Sequence, residues 1–325
     1  MNFLREDIKV VFMGTPEFAK CSLEKLVESK YNVVGVFTNP DKPAGRGMQL
    51  KPSAVKEYAT KNNITVFQPV KLRNNDEVMN ILKELKPDII CVVAYGKILP
   101  KEVLDFPRLG CVNVHGSLLP KYRGAAPMQW AIINGEEKTG ITTMYMDEGM
   151  DTGDMLLKEE IKIEEEDNLE SIHDKLMNIG GNLLVKTLDK IVDGSIVREK
   201  QSNEYTLAPM ITKEMTKIDF SKTSIEIFNF VRGLAPFPGT YMVDEVGNKY
   251  KVFKVRVVDN QDVTVEMKDS NKSTGTIVKV SKNELVISTS DGYINIVEIQ
   301  PPNSKRMNIS AFLNGNTLNV GSKFV

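Results

Sequence analysis

The chain has 325 residues, 41% of them hydrophobic and 26% charged, and a formal net charge of −1. That length suits two domains of ordinary size, and the composition excludes collagen, coiled-coil and disordered classes. The near-zero charge argues against a nonspecific nucleic-acid binder, and no apolar run reaches the roughly 18 residues that a membrane-spanning helix needs.

The first residues, MNFLREDIKVVFMG, carry Glu6 and Asp7 and lead into a strand. They lack the charged-then-apolar layout of a signal peptide, so the expected location is cytoplasmic. Lys9–Met13 reads as the first strand, and Gly14 ends it. Thr15, Pro16 and Glu17 then give an N-cap, a proline at the first helical position and an acid in the first turn, with the helix running to about Ser29. Further strands are predicted at Asn32–Thr38, Ile64–Phe67, Asp88–Ala94, Gly110–His115 and Ile141–Met146, with helices at Val78–Leu85 and Asn168–Val192. The fold class is therefore α/β, a doubly wound and mostly parallel Rossmann-like sheet.

Around 195–215 the pattern breaks into polar, irregular sequence, and the linker is placed there. Residues 1–204 are expected to form one domain and 205–325 a second. Thr223 with Glu226 forms a capping-box signature, and Gly233 marks the end of that helix. Five short β runs follow, at 240–243, 250–258, 274–280, 284–289 and 293–299, and point to a small OB-like barrel. Residues 206–325 hold 15 Lys and Arg against 12 Asp and Glu, a net of +3. That balance permits an anionic partner.

The chemistry concentrates in a few places. Asn113 and His115 stand two apart on a strand, so both project to one face, and Gly116 puts them near its carboxyl end, where open α/β sheets bind ligands. An amide beside an imidazole suits a tetrahedral acyl-transfer centre: the amide donates to an oxyanion and the imidazole moves protons. The same pair equally serves as a hydrogen-bonded strand end. Met146–Gly153 supplies Asp147, Glu148 and Asp151 after a strand, either as a local turn or as the carboxylate that orients His115; spacing does not choose between the acids. Thr38–Ser53 is long for an α/β connection and carries Lys42, Arg46 and Lys51, which suits a phosphate-facing arm or a solvated loop. Gly14-Thr15-Pro16 is not a dinucleotide fingerprint and no Walker motif occurs, which argues against nicotinamide and ATP sites. Only two histidines occur, His115 and His173, and no metal is expected. The three cysteines, Cys21, Cys91 and Cys111, form no CxxC pair, and Cys91 and Cys111, in apolar runs, read as reduced core residues.

Asn113-x-His115-Gly-Ser-Leu-Leu-Pro120 followed by Tyr122-Arg123-Gly124-Ala125-Ala126-Pro127 resembles the signature of the formyltetrahydrofolate-dependent formyltransferases. The blocks Phe12–Phe18, Pro40–Gly47, Asp147–Asp154 and Arg232–Gly239 also resemble that family, in its order, so the resemblance covers nearly the whole chain. Phe220 and Phe237 stand where the family has tryptophans. The resemblance implies transfer of the formyl group from 10-formyltetrahydrofolate to the α-amine of methionyl initiator tRNA. It implies catalytic roles for Asn113, His115 and Asp151, and prefers Asp151 to Asp147. Folate is expected beside Ser117, Leu118, Leu119 and Pro120, with the turn carrying Tyr95, Gly96 and Ile98 as the opposite wall. Lys42, Arg46 and Lys51 are expected to face the tRNA, and the C-terminal barrel to follow its backbone. Three other readings fit less well: a formyltransferase for glycinamide ribonucleotide or a nucleotide amino sugar, a folate hydrolase or dehydrogenase-linked hydrolase domain, and a non-catalytic RNA-binding barrel.

Overall fold

A computed structural model describes residues 4–44, 49–259 and 273–325. Its first sheet begins with β1 (Lys9–Gly14), which leads into α1 (Glu17–Glu28) and β2 (Asn32–Phe37). A small hairpin of β3 (Lys42–Ala44) and β4 (Gln49–Lys51) follows, then α2 (Ala54–Lys61), β5 (Val66–Phe67), α3 (Asp76–Leu85) and β6 (Ile89–Val93). α4 (Lys101–Leu104), β7 (Cys111–His115), α5 (Pro127–Ile133), β8 (Lys138–Tyr145), β9 (Met155–Lys162) and α6 (Leu169–Val192) complete this part of the chain. The strand order is β5-β2-β1-β6-β7-β8-β9. The pairs β5–β2, β2–β1, β1–β6 and β6–β7 are parallel and β7–β8 is antiparallel.

The central strands are the most apolar. Every residue of β6, Ile-Ile-Cys-Val-Val, is buried, as a parallel strand covered on both faces requires. Cys91 lies in it, and burial holds its thiol above the usual range. Cys111 at the start of β7 is buried too and its thiol is pushed up to about 12, chiefly by burial. The chain turns from the β1–β2 side to the β7–β8 side of the sheet between β1 and β6, and β7 lies beside β6.

Two expectations about this half change. Thr15 does not cap α1: the N-cap residue is Pro16, with no side-chain cap bond. The Thr15 hydroxyl instead accepts from Asn39 Nδ2 at 3.1 Å, so it ties the end of β1 to the segment after β2. The long 38–53 connection contains the β3–β4 hairpin, in which Lys42 pairs with Lys51.

The second sheet follows α7 (Ser224–Leu234), whose capping box is formed as expected: Thr223 Oγ1 accepts from the Glu226 N–H, and the Glu226 carboxylate accepts from the Thr223 N–H. Its strands are β10 (Thr240–Val243), β11 (Lys249–Val257), β12 (Ile277–Val280), β13 (Leu285–Ser288) and β14 (Tyr293–Gln300), in the order β10-β11-β14-β13-β12. β15 (Met307–Asn308) pairs with β14 and precedes α8 (Ile309–Leu313). The last residues close this sheet. Val325 exchanges backbone hydrogen bonds with Val243, the last residue of β10, and the N–H of Phe324 donates to Gly275 O just before β12. The chain's last residues thus bond to the ends of both outer strands of this antiparallel sheet. Ile294, Ile296 and Ile299 of β14 and Phe312 of α8 lie in its core.

By contact density the chain divides into two units, one of residues 1–125, 139–161 and 173–208 and one of 126–138, 162–172 and 209–325. Segments 126–138 and 162–172 thus belong with the second sheet. Among the described residues no helix is long and apolar enough to cross a membrane, and no cluster of His, Cys, Asp or Glu could hold a metal ion.

Candidate active site

The site lies at the carboxyl end of β7, within the first unit. β7 alternates, so Asn113 and His115 share a face. His115 is 6% exposed, whereas Asn113 is only partly buried and its side-chain amide has no hydrogen-bond partner among the described residues. His115 is held by a hydrogen bond at one ring nitrogen and faces a carboxylate at the other. Nε2 is 2.9 Å from the carbonyl of Tyr122. A carbonyl oxygen only accepts, so this bond requires the proton on Nε2 and leaves Nδ1 as the nitrogen that exchanges one. Nδ1 faces Asp151 Oδ2 at 3.6 Å.

Two backbone devices hold these groups. Tyr122 turns back toward the ring with φ 64°. Asp151 adopts φ 54°, an unfavourable region for a residue with a side chain, and its Oδ2 accepts from the Gly124 N–H at 2.9 Å. Gly124 has φ 121°, and a Cβ there would stand 2.7 Å from the Ala208 carbonyl oxygen, so only glycine brings its N–H to Asp151. Asp147 is occupied otherwise: its Oδ1 accepts from the Gly149 N–H at 3.0 Å and from the Thr152 hydroxyl at 2.6 Å, the bonds of a local turn. Among the acids of this loop, Asp151 is the one that the structure brings to His115.

The segment 117–120 is braced from β8. Thr142 Oγ1 donates to Ser117 O and accepts from the Leu119 N–H, while Ser117 Oγ donates to Lys121 O. Leu119 is 1% exposed and packs with Met144 and Met155, which leaves Leu118 and Pro120 only partly buried. In the turn after β6, the Tyr95 ring is buried in the core, with its hydroxyl lacking a partner among the described residues and burial raising it to about 12. The Tyr95 carbonyl accepts from Asn39 Nδ2 at 2.9 Å. Gly96 has φ 76°, and Ile98 is 81% exposed. Lys42 and Lys51 are exposed on the hairpin, and Arg46 lies outside the described residues. Burial, and next the charge of Lys42, lower the Lys97 ammonium, whose Nζ donates to Pro69 O. His173 lies elsewhere, against Phe18 and Asp174.

Reasoning from sequence missed the second layer of this site. Gln201 donates from Nε2 to the carbonyls of Asp151 and Gly153, both at 2.8 Å, and its Oε1 accepts from Arg123 Nε at 2.8 Å. The Tyr122 N–H donates to Thr206 Oγ1 and the Arg123 N–H to Thr206 O. Arg123 and Gly124 stand in the motif already singled out. Gln201 sits in irregular sequence that carries no local signal.

An imidazole held at one ring nitrogen, a carboxylate facing the other and an amide unpaired among the described residues are groups that acyl transfer can use. Two family models match the chain: the formyl transferase model over residues 8–188 and the formyl transferase C-terminal domain model over residues 210–317. The chain belongs to the formyltransferase family. Among curated relatives, the methionyl-tRNA formyltransferase of Clostridioides difficile (strain 630) is 50% identical over 317 residues, covering 97% of this chain and 99% of the relative. That of Caldanaerobacter subterraneus subsp. tengcongensis is 48% identical over 316 residues, with the same coverage. Solved structures share the fold at lower identity. WlaRD, a sugar 3N-formyl transferase crystallised with dTDP and 5-N-formyl-THF, is 22% identical with a TM-score of 0.65, over 92% of this chain and 99% of that one. HypX from Aquifex aeolicus, in complex with tetrahydrofolic acid, is 16% identical with a TM-score of 0.61, over 97% of this chain and 50% of that one.

Proposed function

We infer that this formyltransferase moves the formyl group of 10-formyltetrahydrofolate onto the α-amino group of methionyl initiator tRNA. The relatives near 50% identity, matched over nearly their full length, carry this reading. The amine nitrogen attacks the formyl carbon, a C–N bond forms and the carbonyl oxygen takes the charge. Asn113 donates to that oxygen from its free amide. His115 receives the proton of the attacking amine on Nδ1, and Asp151 faces the charge the ring then carries. The proton passes to N10 of the folate as the bond from N10 to the formyl carbon breaks, which leaves tetrahydrofolate and the N-formylated aminoacyl-tRNA.

The folate is assigned to the cleft beside Ser117, Leu118, Leu119 and Pro120 and the turn at Tyr95, Gly96 and Ile98. Leu119 supports that wall from the core, and Tyr95 offers backbone rather than its ring. Lys42, Arg46 and Lys51 are assigned to the tRNA, with residues 1–204 as the catalytic domain and 205–325 as the domain that follows the tRNA backbone. A charged-tRNA substrate puts the reaction with translation, in the cytoplasm. The test is a comparison of four acceptors with the same donor: charged initiator tRNA, charged elongator tRNA, free methionine and a nucleotide-linked amino sugar. Formylation of the initiator species above all others is expected. Preference for the amino sugar would overturn the reading.

A further inference from the structure

Arg123 is the most unusual charge in the first unit. It is 8% exposed, yet no carboxylate pairs with it among the described residues. A buried cation without a counter-charge is costly unless a ligand supplies one. The structure invests in holding this one still. Its Nε donates to Gln201 Oε1 at 2.8 Å, its guanidinium stacks 4.3 Å over the Tyr205 ring, and its backbone N–H and carbonyl bond to Thr206 O and the Ala208 N–H at 2.9 and 2.7 Å. These contacts leave both terminal nitrogens, the planar fork that grips a carboxylate or phosphate in two bonds, without a partner among the described residues. The position is one peptide from each half of the catalytic pair: the Tyr122 carbonyl bonds His115, and the Gly124 N–H bonds Asp151.

We propose that Arg123 is an anion-binding residue of this site, gripping a phosphate or carboxylate group of one of the two substrates. Gln201 ties that grip to the Asp151 backbone, so binding at the fork and orientation of the carboxylate share one support. The proposal rests on the reading that the chain formylates an aminoacyl-tRNA. Both substrates offer the required chemistry: a phosphodiester at the acceptor's 3′ end, or a glutamate carboxylate of the folate.

The test is steady-state kinetics of Arg123→Met and Arg123→Lys beside the wild-type protein, with melting temperatures measured in parallel. The lysine variant keeps the charge but loses the fork, and it serves if the methionine variant does not fold. One KM is expected to rise about tenfold or more in Arg123→Met, as for loss of a charged hydrogen bond, with a smaller rise in Arg123→Lys. If the acceptor's KM rises and its salt dependence falls by about one counterion, the anion is a phosphodiester. If the donor's KM rises, and a donor lacking the glutamate shows no such rise, it is the carboxylate. Unchanged KM for both substrates overturns the proposal, as does a loss confined to kcat and melting temperature. Wild-type protein inactive on charged tRNA would instead count against the functional reading itself.

Discussion

At the scale of single residues, the site divides its acids by geometry. Asp151 faces His115 Nδ1, whereas Asp147 spends Oδ1 on Gly149 and Thr152. Asp151→Asn is therefore expected to lower kcat strongly at nearly constant melting temperature, and Asp147→Asn to act mainly on stability. Equal kinetic losses with equal melting temperatures would remove this distinction. Asn113→Ala is expected to lower kcat by about 100–1000-fold, the usual cost of an oxyanion donor, with little change in donor affinity. A rise in donor KM alone would make Asn113 a binding residue. The Asn113–His115 pair was legible in the sequence, because a period-two spacing on a strand fixes a shared face. The choice of Asp151 rested on the family resemblance. Gln201 was illegible, since its partners lie about fifty and eighty residues away in sequence.

At the scale of elements, strands and helices with strong patterns were readable: β6 from its unbroken apolar run, α7 from Thr223 and Glu226, and β10 to the residue. β9 was missed, because half of Met-Leu-Leu-Lys-Glu-Glu-Ile-Lys is charged, as suits the strand at the edge of its sheet. The β3–β4 hairpin was read as loop, since each strand is three residues long and Pro43 interrupts the first. The α7 cap makes a quantitative prediction. Thr223→Ala is expected to cost about 1 kcal/mol of stability in denaturant unfolding at neutral pH. The Thr223 N–H, and then its hydroxyl, hold the Glu226 carboxyl below its ordinary range. A depressed carboxyl contributes above its unfolded value and loses that contribution as pH falls through the folded one, so the Thr223→Ala penalty is expected to shrink in acid. A penalty that grows with acidity would contradict the cap.

At the scale of the whole molecule, catalysis and tRNA affinity are expected to be separable along the chain. The residues proposed as catalytic lie between 113 and 151, and the cations proposed to face tRNA lie outside that span. Arg46→Ala is expected to raise the KM for charged initiator tRNA and leave the donor's unchanged. Loss of a phosphate contact would also lower the salt slope by about one, whereas loss of a base contact would lower discrimination against elongator tRNA. The central claim is that Asn113, His115 and Asp151 carry formyl transfer to methionyl-tRNA. Its most direct test is single-turnover transfer of labelled formyl from 10-formyltetrahydrofolate to charged initiator tRNA, by wild-type protein and by His115→Ala, with donor binding measured on both. Transfer by the wild type, loss of transfer in the variant and donor affinity largely retained are expected. Turnover in His115→Ala above about a tenth of the wild-type rate, a far smaller loss than removal of a proton-transfer group brings, would contradict it.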